Sequence, residues 1–296
     1  MDLMFDVSGL NEEKEEFSNS KKDVLKFLKI IGLFCLFCFT FLYTEKIIDV
    51  SIDQDEIMIK IKDEASLLNT PPTDAIITND TIIPGKIGKE VSLEPSYKAM
   101  KKIGYYDTSL LIYQDIYPKT SIYNNYNLYI TNGSQYHPNI SLVYIINNTN
   151  TINNISSIIN KYKVSINFFI DSTFLNNNIS IIDTLKNNEI YNYGLMGKYT
   201  KDNLIITNNI INNKANNKST YCLFLEKNTE SLDLCTNNKM HSIYLSNSSS
   251  LFTIKNNLSN GNIYLINNTQ ELPSIIEYIL SKGYKIVPLS KNITES

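Results

Sequence analysis

Seven polar residues stand just beyond apolar runs that are predicted strands, and they are the residues of this chain best placed to do chemistry. They comprise four amides, two carboxylic acids and one phenol: Asn147, Asn148, Asn247, Asn267, Asp171, Glu226 and Tyr193. Such groups suit the hydroxyls and apolar faces of a sugar. Asp171 and Glu226 could also form the acid pair of a glycoside hydrolase. In a chain this rich in Asn, all seven could equally be solvated loop ends.

Imidazoles and paired acids are scarce. The two His, His137 and His241, are 104 positions apart, so no His pair at i and i+4 can exist. No two Asp are adjacent, and all 27 basic residues are Lys. His137 precedes Pro138 in a predicted loop and His241 begins a predicted strand, which favours structural or exposed roles over catalysis. The net charge of -3, with no basic face, excludes a nucleic-acid partner.

The four Cys do not make a disulfide framework in a chain of 296 residues. Cys35 and Cys38 lie in an apolar run, where a thiol usually acts as a small hydrophobe, although acylation is an alternative. Cys222 and Cys235 could pair if the domain occupies an oxidising space, and the sequence leaves this open.

Strand-like runs recur in the C-terminal half: Leu142–Ile146, Val164–Ile170, Glu189–Tyr193, Tyr221–Leu225, Ser242–Leu245, Ile263–Ile266 and Tyr284–Val287. Stripes of helical spacing lie between them, one over residues 152–159 and one over residues 272–280. The alternation predicts an α/β fold with a parallel sheet, either doubly wound or rolled into a barrel. In both, ligands bind at the C-terminal ends of the strands, where the seven polar residues stand.

An uncharged run, Ile30–Thr44, extended by Phe27 and Leu28, predicts a transmembrane helix. A buried core helix would show a polar face, and a cleaved signal peptide would end in small residues; the run shows neither. Four Lys precede it between residues 21 and 29, and Lys46 follows it. This bias predicts a single-pass protein of the cell membrane, with a cytoplasmic N-terminus and an extracytoplasmic C-terminal domain.

The predicted organisation has five segments: a tail (1–26), a signal-anchor helix (27–44), a stem (45–88), an extension packed on the domain (89–140) and the domain itself (141–296). Within the stem, Ile57–Ile61 could be a strand or part of a helix. Glu94–Tyr97 is predicted to open a short helix that ends at Gly104.

Several motifs over residues 141–290 resemble those of the polysaccharide deacetylase family, which is carbohydrate esterase family 4 with its NodB-homology domain. Val164–Asp171 resembles the strand motif vkATFFv-G, and Lys186–Gly194 resembles kGHEIGNHG. Gly261–Asn268 resembles GsIiLLHD. Leu272–Ile276 and Ser281–Ser290 resemble LPeII and kkGYkfVtLSe. Their order and spacing together are more specific than any one match.

The resemblance implies a distorted (β/α)7-type barrel that removes acetyl groups from N-acetylated sugars. The family holds a divalent metal such as zinc with one Asp and two His at i and i+4, and uses an Asp as base and a His as acid. The equivalent positions here are Asn147 for the base, Asn148, Tyr193 and Gly197 for the metal, and Asn267 for the acid. Amides do not exchange protons and Gly offers no ligand. No intact catalytic residue, no metal site and no cofactor are therefore expected.

The function expected from these observations is that of a membrane-anchored pseudoenzyme that binds cell-wall glycan or scaffolds membrane-associated proteins. Its candidate ligand-binding residues are Asn147, Asn148, Asp171, Tyr193, Glu226 and Asn267. One alternative is a carbohydrate N-deacetylase with a non-standard mechanism. A second alternative is a structural membrane protein that binds other proteins.

Overall fold

The computed structural model describes residues 8–146, 148–149, 151–185 and 187–296, with side chains from residue 26 onward except at 45, 48 and 49. The chain divides into two compact units. The first consists of residues up to Leu68 together with Val91–Ile112, and the second consists of Asn69–Glu90 together with Tyr113–Ser296. The boundaries of the five predicted segments stay predictions.

The first unit is helical, with α1 (Ser8–Asp53), α2 (Glu56–Leu68) and α3 (Leu93–Lys101) followed by a 3-10 turn (Thr108–Leu110). The helical alternative for residues 57–61 is confirmed, because Ile57 and Ile61 pack in the core of this unit one turn apart. Asp55 starts α2: its carboxylate accepts hydrogen bonds from the Ile57 N–H (3.0 Å) and from the Tyr97 hydroxyl of α3 (3.1 Å).

Helix α1 contains a stretch long and apolar enough to cross a membrane. It runs over Lys26–Thr44, has a mean hydropathy of 2.0, and none of it is buried inside the protein. A core helix would bury such a surface. The apolar helix predicted here is confirmed as a candidate span, and its orientation stays a prediction.

The strands are β1 (Ile76–Thr78), β2 (Thr81–Ile83), β3 (Gly88–Val91), β4 (Tyr113–Ile116), β5 (Tyr129–Ile130), β6 (Asn139–Ile146), β7 (Asn167–Ile170), β8 (Glu189–Asn192), β9 (Tyr221–Phe224), β10 (His241–Tyr244), β11 (Ile263–Leu265) and β12 (Lys285–Ile286). One sheet has the order β1-β2-β5-β10-β9, and a second has the order β11-β6-β7-β8 with β12 also paired to β6. The β1–β2 pair is antiparallel, and the other pairs of these two sheets are parallel. Strands β3 and β4 form a separate pair.

Helices follow the parallel strands: α4 (Ile152–Tyr162), α5 (Ser172–Asn177), α6 (Ile181–Leu185), α7 (Lys201–Lys214), α8 (Thr229–Asn237), α9 (Leu251–Asn257), α10 (Leu272–Ser281) and α11 (Leu289–Asn292). A 3-10 turn (Ile122–Asn124) precedes β5. Every run predicted as a strand from residue 142 onward overlaps an observed strand. The predicted helical stripes form the buried faces of α4 and α10, except that Leu280 at the end of the second stripe is exposed. The mixed α/β class is confirmed.

Alternate residues of the strands point into two apolar layers. One buried cluster takes residues from both sheets, including Val143, Phe169, Leu223 and Ile243, so the two sheets face each other across it. The intervening residues, including Leu142, Phe168 and Ile190, pack against α4, α6 and α10. This two-sided burial is why the strands are almost continuously apolar.

Among the described residues, side chains rather than a backbone ladder join β8 to β9. The Asn217 amide accepts from the Ile190 N–H and donates to the Ile190 carbonyl, both at 2.9 Å. Ser219 Oγ accepts from the Asn192 N–H at 3.0 Å, and the Tyr199 hydroxyl donates to the Asn192 carbonyl at 3.1 Å. Closure into a (β/α)7-type barrel stays a prediction.

Cys222 of β9 and Cys235 of α8 form a disulfide with an S–S distance of 2.07 Å. Both are fully buried. The pairing that the sequence left open is therefore present, and it ties a strand to the helix packed on it.

Candidate ligand-binding cleft

A cavity of about 620 Å³ opens at the C-terminal ends of the parallel strands. Five of the seven polar residues singled out in the sequence line it: Asn148, Asp171, Tyr193, Asn247 and Asn267. Glu226 instead lines an adjacent cavity of about 270 Å³. Asn147, the predicted counterpart of the base, lies outside the described residues. The strand-end argument thus predicted where most of these side chains meet.

Several wall residues were not predicted: Tyr144, Thr151, Met196, Leu225, Ser246 and Ser248. The two Ser flank Asn247 beyond β10, so the same strand-end argument could have found them. The Tyr144 hydroxyl donates to Thr151 Oγ1 at 3.1 Å, which fixes a phenol at the wall. Nothing in the sequence pointed to Met196, because it lies in an irregular loop with no periodic pattern.

Asp171 directly follows β7 and caps helix α5. Its Oδ1 accepts hydrogen bonds from the N–H groups of Thr173 (2.9 Å) and Phe174 (3.1 Å), as an N-cap carboxylate does. Its Oδ2 accepts from the Met196 N–H at 2.9 Å. Asp171 is 8% exposed, and both oxygens of its carboxylate accept hydrogen bonds that position the backbone around the cleft.

The loop after β8 turns tightly, and it forms one side of the cleft. Gly194, Met196 and Gly197 all have left-handed backbone, with φ of 67°, 52° and 81°. Leu195 and Lys198 exchange backbone hydrogen bonds of 2.9 and 3.0 Å. Glycine adopts such angles without steric cost, whereas Met196 pays for them. The turn is therefore held in place by its hydrogen bonds.

Tyr193 begins this loop, and its ring lies against Gly197. A Cβ added at Gly197 would stand 3.1 Å from the Tyr193 hydroxyl. Burial, and then the negative charge of Asp171, raise the pKa of Tyr193. The phenol therefore stays neutral and can donate or accept a hydrogen bond.

The three positions that would hold the family's metal do not fit it. Asn148 offers a neutral amide, Tyr193 a neutral phenol and Gly197 no side chain, whereas zinc takes imidazole, thiolate or carboxylate ligands. Among the described residues, no three His, Cys, Asp or Glu side chains come together as a metal site requires.

Amides and hydroxyls line the remaining rim. Asn267 Nδ2 donates to Ser248 Oγ at 2.9 Å, and Asn247 Nδ2 donates to Ser246 Oγ at 3.2 Å. These side chains are exposed at the mouth of the cleft. Because Asn and Ser carry both donors and acceptors, the rim can exchange hydrogen bonds with hydroxyl or acetamido groups.

The two cavities differ in charge. Apart from phenols, Asp171 is the only ionisable side chain that the described residues contribute to the wall of the larger one. The smaller one contains Lys198, Glu226 and Lys227. Lys227 Nζ bonds Asp80 Oδ1 at 2.7 Å, and that hydrogen bond raises the pKa of Lys227.

Neither His belongs to the cleft. His241 begins β10, so it lies at the opposite end of the strands, with its ring stacked 4.4 Å from that of Tyr126. Burial lowers the pKa of His241 to about 4. His137 is partly exposed, in the chain before β6. Neither can serve the cleft as an acid.

No family model and no curated protein matches the chain. Solved structures do. One is the wild-type pseudoenzyme BA3943 of carbohydrate esterase family 4 from Bacillus anthracis, with 21% identity over 82% of this chain and 96% of that one, and a TM-score of 0.58. A mutant of the same pseudoenzyme, described as having restored enzymatic activity, matches with 21% identity over 81% and 99% and a TM-score of 0.59.

At this identity the likeness speaks for the fold, and it agrees with the motifs found in the sequence. The predicted resemblance to the polysaccharide deacetylases is confirmed at that level. The chain has the fold of the family 4 carbohydrate esterases.

Proposed function

We propose that this protein is a membrane-anchored, extracytoplasmic glycan-binding module that does not carry out metal-dependent deacetylation. The observation that carries the proposal is the larger cavity, whose wall is built from amides, hydroxyls, phenols and apolar side chains. Such walls suit the alternating hydroxyls and apolar faces of neutral sugars. Asp171, whose carboxylate also lines this wall, already accepts hydrogen bonds from three backbone N–H groups.

The loss of deacetylase chemistry follows from residue types. A metal-bound water becomes a nucleophile because the cation lowers its pKa from ~15.7 towards ~7. Asn148, Tyr193 and Gly197 cannot supply the anionic and imidazole ligands that hold such a cation. Asn267, at the position of the acid, cannot donate a proton to a leaving group, which forfeits on the order of 10²–10⁴-fold in rate.

Two features support an extracytoplasmic location. The candidate span Lys26–Thr44 has more Lys before it than directly after it, which favours a cytoplasmic N-terminus. The Cys222–Cys235 disulfide persists in oxidising compartments, whereas cytosolic thiols are kept reduced. A domain beyond the membrane, near the cell wall, satisfies both.

Glycan binding by the full chain in detergent tests the proposal. Purified protein is mixed with insoluble wall polysaccharide and with N-acetylated oligosaccharides, and the bound fraction is measured. Asn267→Ala should weaken binding about tenfold, the effect of one lost hydrogen bond of about 1.4 kcal/mol. Asn213→Ala, an exposed amide on α7, is the matched control and should bind normally. Absence of binding to every wall fraction would overturn the glycan role.

Metal analysis and an acetate-release assay test whether the protein lacks metal-dependent deacetylase activity. After dialysis, the full chain should retain no stoichiometric zinc and should release no acetate from N-acetylated oligosaccharides. Acetate release that a chelator does not affect would instead support an enzyme with a metal-independent mechanism. A tightly held cation would overturn the assignment of Asn148, Tyr193 and Gly197 as non-ligands.

A further inference from the structure

The helical unit that contains the candidate span also has an exposed turn with the composition of a membrane-interface segment. Residues 102–105, which we call the tip, follow the last residue of α3 and are all exposed. Their sequence is Lys-Ile-Gly-Tyr. Ile103 is 42% exposed and Tyr105 is 60% exposed. Lys, Tyr and apolar side chains together are typical of segments that lie in the headgroup region of a bilayer.

The backbone holds the tip in a tight turn at the end of α3. The N–H groups of Ile103 and Gly104 both donate to the Met100 carbonyl at 3.0 Å. Gly104 has a φ of 83°, the left-handed conformation at which many helices end. Met100 itself is fully buried in the apolar core of the unit. Ile103 and Tyr105 therefore project from a fixed backbone, and the packing of the unit leaves them uncovered.

Contacts to Asp55 place the tip beside the end of α1. Asp55 lies in the short link between α1 and α2, and its carboxylate accepts hydrogen bonds from the Tyr97 hydroxyl (3.1 Å) and from Lys101 Nζ. Tyr97 and Lys101 both belong to α3, and Lys101 is its last residue. The C-terminal end of α3 therefore lies against the corner at which α1 is followed by α2, and the tip continues from there.

The candidate span leads directly into this corner. Residues 45–53 of α1 separate Thr44, where the span ends, from the end of the helix at Asp53. At 1.5 Å per residue they extend about 14 Å, of which the headgroup layer takes up roughly 5–8 Å. None of the span is buried, and among the described side chains of α1 only Ile52 packs against the apolar core of the unit. The remaining gap of several ångströms is within reach of side chains on the tip.

We propose that the tip rests in the headgroup region of the bilayer that α1 crosses, with Ile103 and Tyr105 at the boundary of the acyl chains and Lys102 at the phosphates of anionic lipids. The inference rests on the proposed membrane anchoring and adds a second membrane contact to it. Tyr suits this position because its ring is apolar and its hydroxyl stays hydrated.

Lys102 supplies the positive charge of this contact. The neighbouring Lys101 is already bonded to Asp55. The next acid along the chain, Asp107, accepts hydrogen bonds from the N–H (2.8 Å) and the hydroxyl (2.7 Å) of Ser109, as the cap of the following 3-10 turn. A bilayer with anionic headgroups attracts an exposed cation such as Lys102 and holds the tip at its surface.

Fluorescence quenching on the full chain in lipid nanodiscs tests this contact. The chain contains no Trp, so Tyr105→Trp supplies a single fluorophore at the tip. The discs contain phosphatidylcholine and phosphatidylglycerol, with part of the lipid brominated on the acyl chains close to the headgroup. The Tyr105→Trp variant should lose about half of its fluorescence to the bromines, because an interfacial Trp ring lies beside them.

Leu67→Trp is the matched control. Leu67 is 83% exposed in the last turn of α2, about 17 Å along the helix from its start at Glu56. This variant should keep nearly all of its fluorescence. Adding Lys102→Glu to Tyr105→Trp should reduce the quenching about twofold in discs with phosphatidylglycerol and change it little in phosphatidylcholine alone, because only the anionic lipid repels the new charge.

The outcomes separate the tip from the anchor. Equal quenching of Tyr105→Trp and Leu67→Trp, in protein that co-elutes with the discs, would overturn the inference and leave the anchor intact. Quenching of Tyr105→Trp that Lys102→Glu does not alter would overturn the role of Lys102 and of anionic lipid. A full chain that does not assemble with lipid would overturn the membrane anchor, and this inference with it.

Discussion

The carboxylate of Asp171 and the backbone N–H of Met196 are joined by a hydrogen bond of 2.9 Å. The two residues belong to different connections, one after β7 and one after β8. The same carboxylate caps α5 through two further N–H groups. One side chain therefore fixes a helix start and the left-handed turn at the cleft.

Two substitutions at Asp171 test its roles as the cap of α5 and as the acceptor for the Met196 N–H. Asp171→Ala removes both and should lower the free energy of unfolding by about 2 kcal/mol, of which the cap accounts for about 1 kcal/mol. Asp171→Asn keeps a capping oxygen and should lose about half as much, because Asn caps helices as well as Asp. Urea unfolding followed by circular dichroism measures both. Asp183→Ala, on the exposed side of α6, is the control; a loss in that variant as large as in Asp171→Ala would contradict the assignment.

Gly197 should not tolerate a side chain. Gly197→Ala places a Cβ on a backbone with φ of 81° and 3.1 Å from the Tyr193 hydroxyl. Strain alone should cost about 1–2 kcal/mol. Gly283→Ala isolates that strain, because Gly283 has φ of 82° and nothing within 4 Å of the added atom. The two variants should differ by the cost of moving Tyr193, and equal unfolding midpoints would show that this contact is harmless.

The disulfide should contribute strongly to stability. It closes a loop with a sequence separation of 13, and removing such a bridge typically costs about 2–4 kcal/mol. Cys222→Ala/Cys235→Ala should therefore unfold at lower urea than Cys35→Ala/Cys38→Ala. Alkylation of the protein from cells, without reductant, checks the pairing by mass spectrometry. Alkylated Cys222 in the native protein would argue against an oxidising compartment.

His241 should make stability depend on pH in the acidic range. Its pKa is about 4 in the folded protein because it is buried, against about 6.5 in the unfolded chain. Between these values the unfolded chain binds a proton that the folded protein does not, so stability falls as pH falls from about 6.5 to about 4. The full loss is roughly 3 kcal/mol.

His241→Phe retains an aromatic ring beside Tyr126 and removes the titration. Its stability, measured by urea unfolding at several pH values, should decline less than that of the original protein over this window. His137→Gln should keep the original decline. Identical curves for the original protein and His241→Phe would contradict the assignment of the lowered pKa.

Periodicity predicted most of the fold because the parallel strands are buried on both faces. Strand β6, for example, is almost wholly buried along its length, which produces an uninterrupted apolar run. The same topology brought Asn148, Tyr193 and Asn267 to one cleft, since the carboxyl ends of parallel strands meet at one edge.

Local conformation explains what the sequence did not predict. Strands β1 and β2 are only three residues each, joined by a turn in which Asn79 has φ of 54°, and they lie in residues expected to form a stem. Strands of three residues are too short to show an alternation of apolar and polar residues in the sequence. The position of Met196 depends on a hydrogen bond from a carboxylate 25 residues away in sequence, a long-range contact that a single sequence does not encode visibly.

The seam between β8 and β9 has an evolutionary consequence. A backbone ladder survives nearly any substitution, because every residue except proline carries the same amide N–H. At this seam Asn217, Ser219 and Tyr199 perform that task with their side chains. A single codon change at any of them can therefore remove hydrogen bonds to β8 that a backbone ladder would keep.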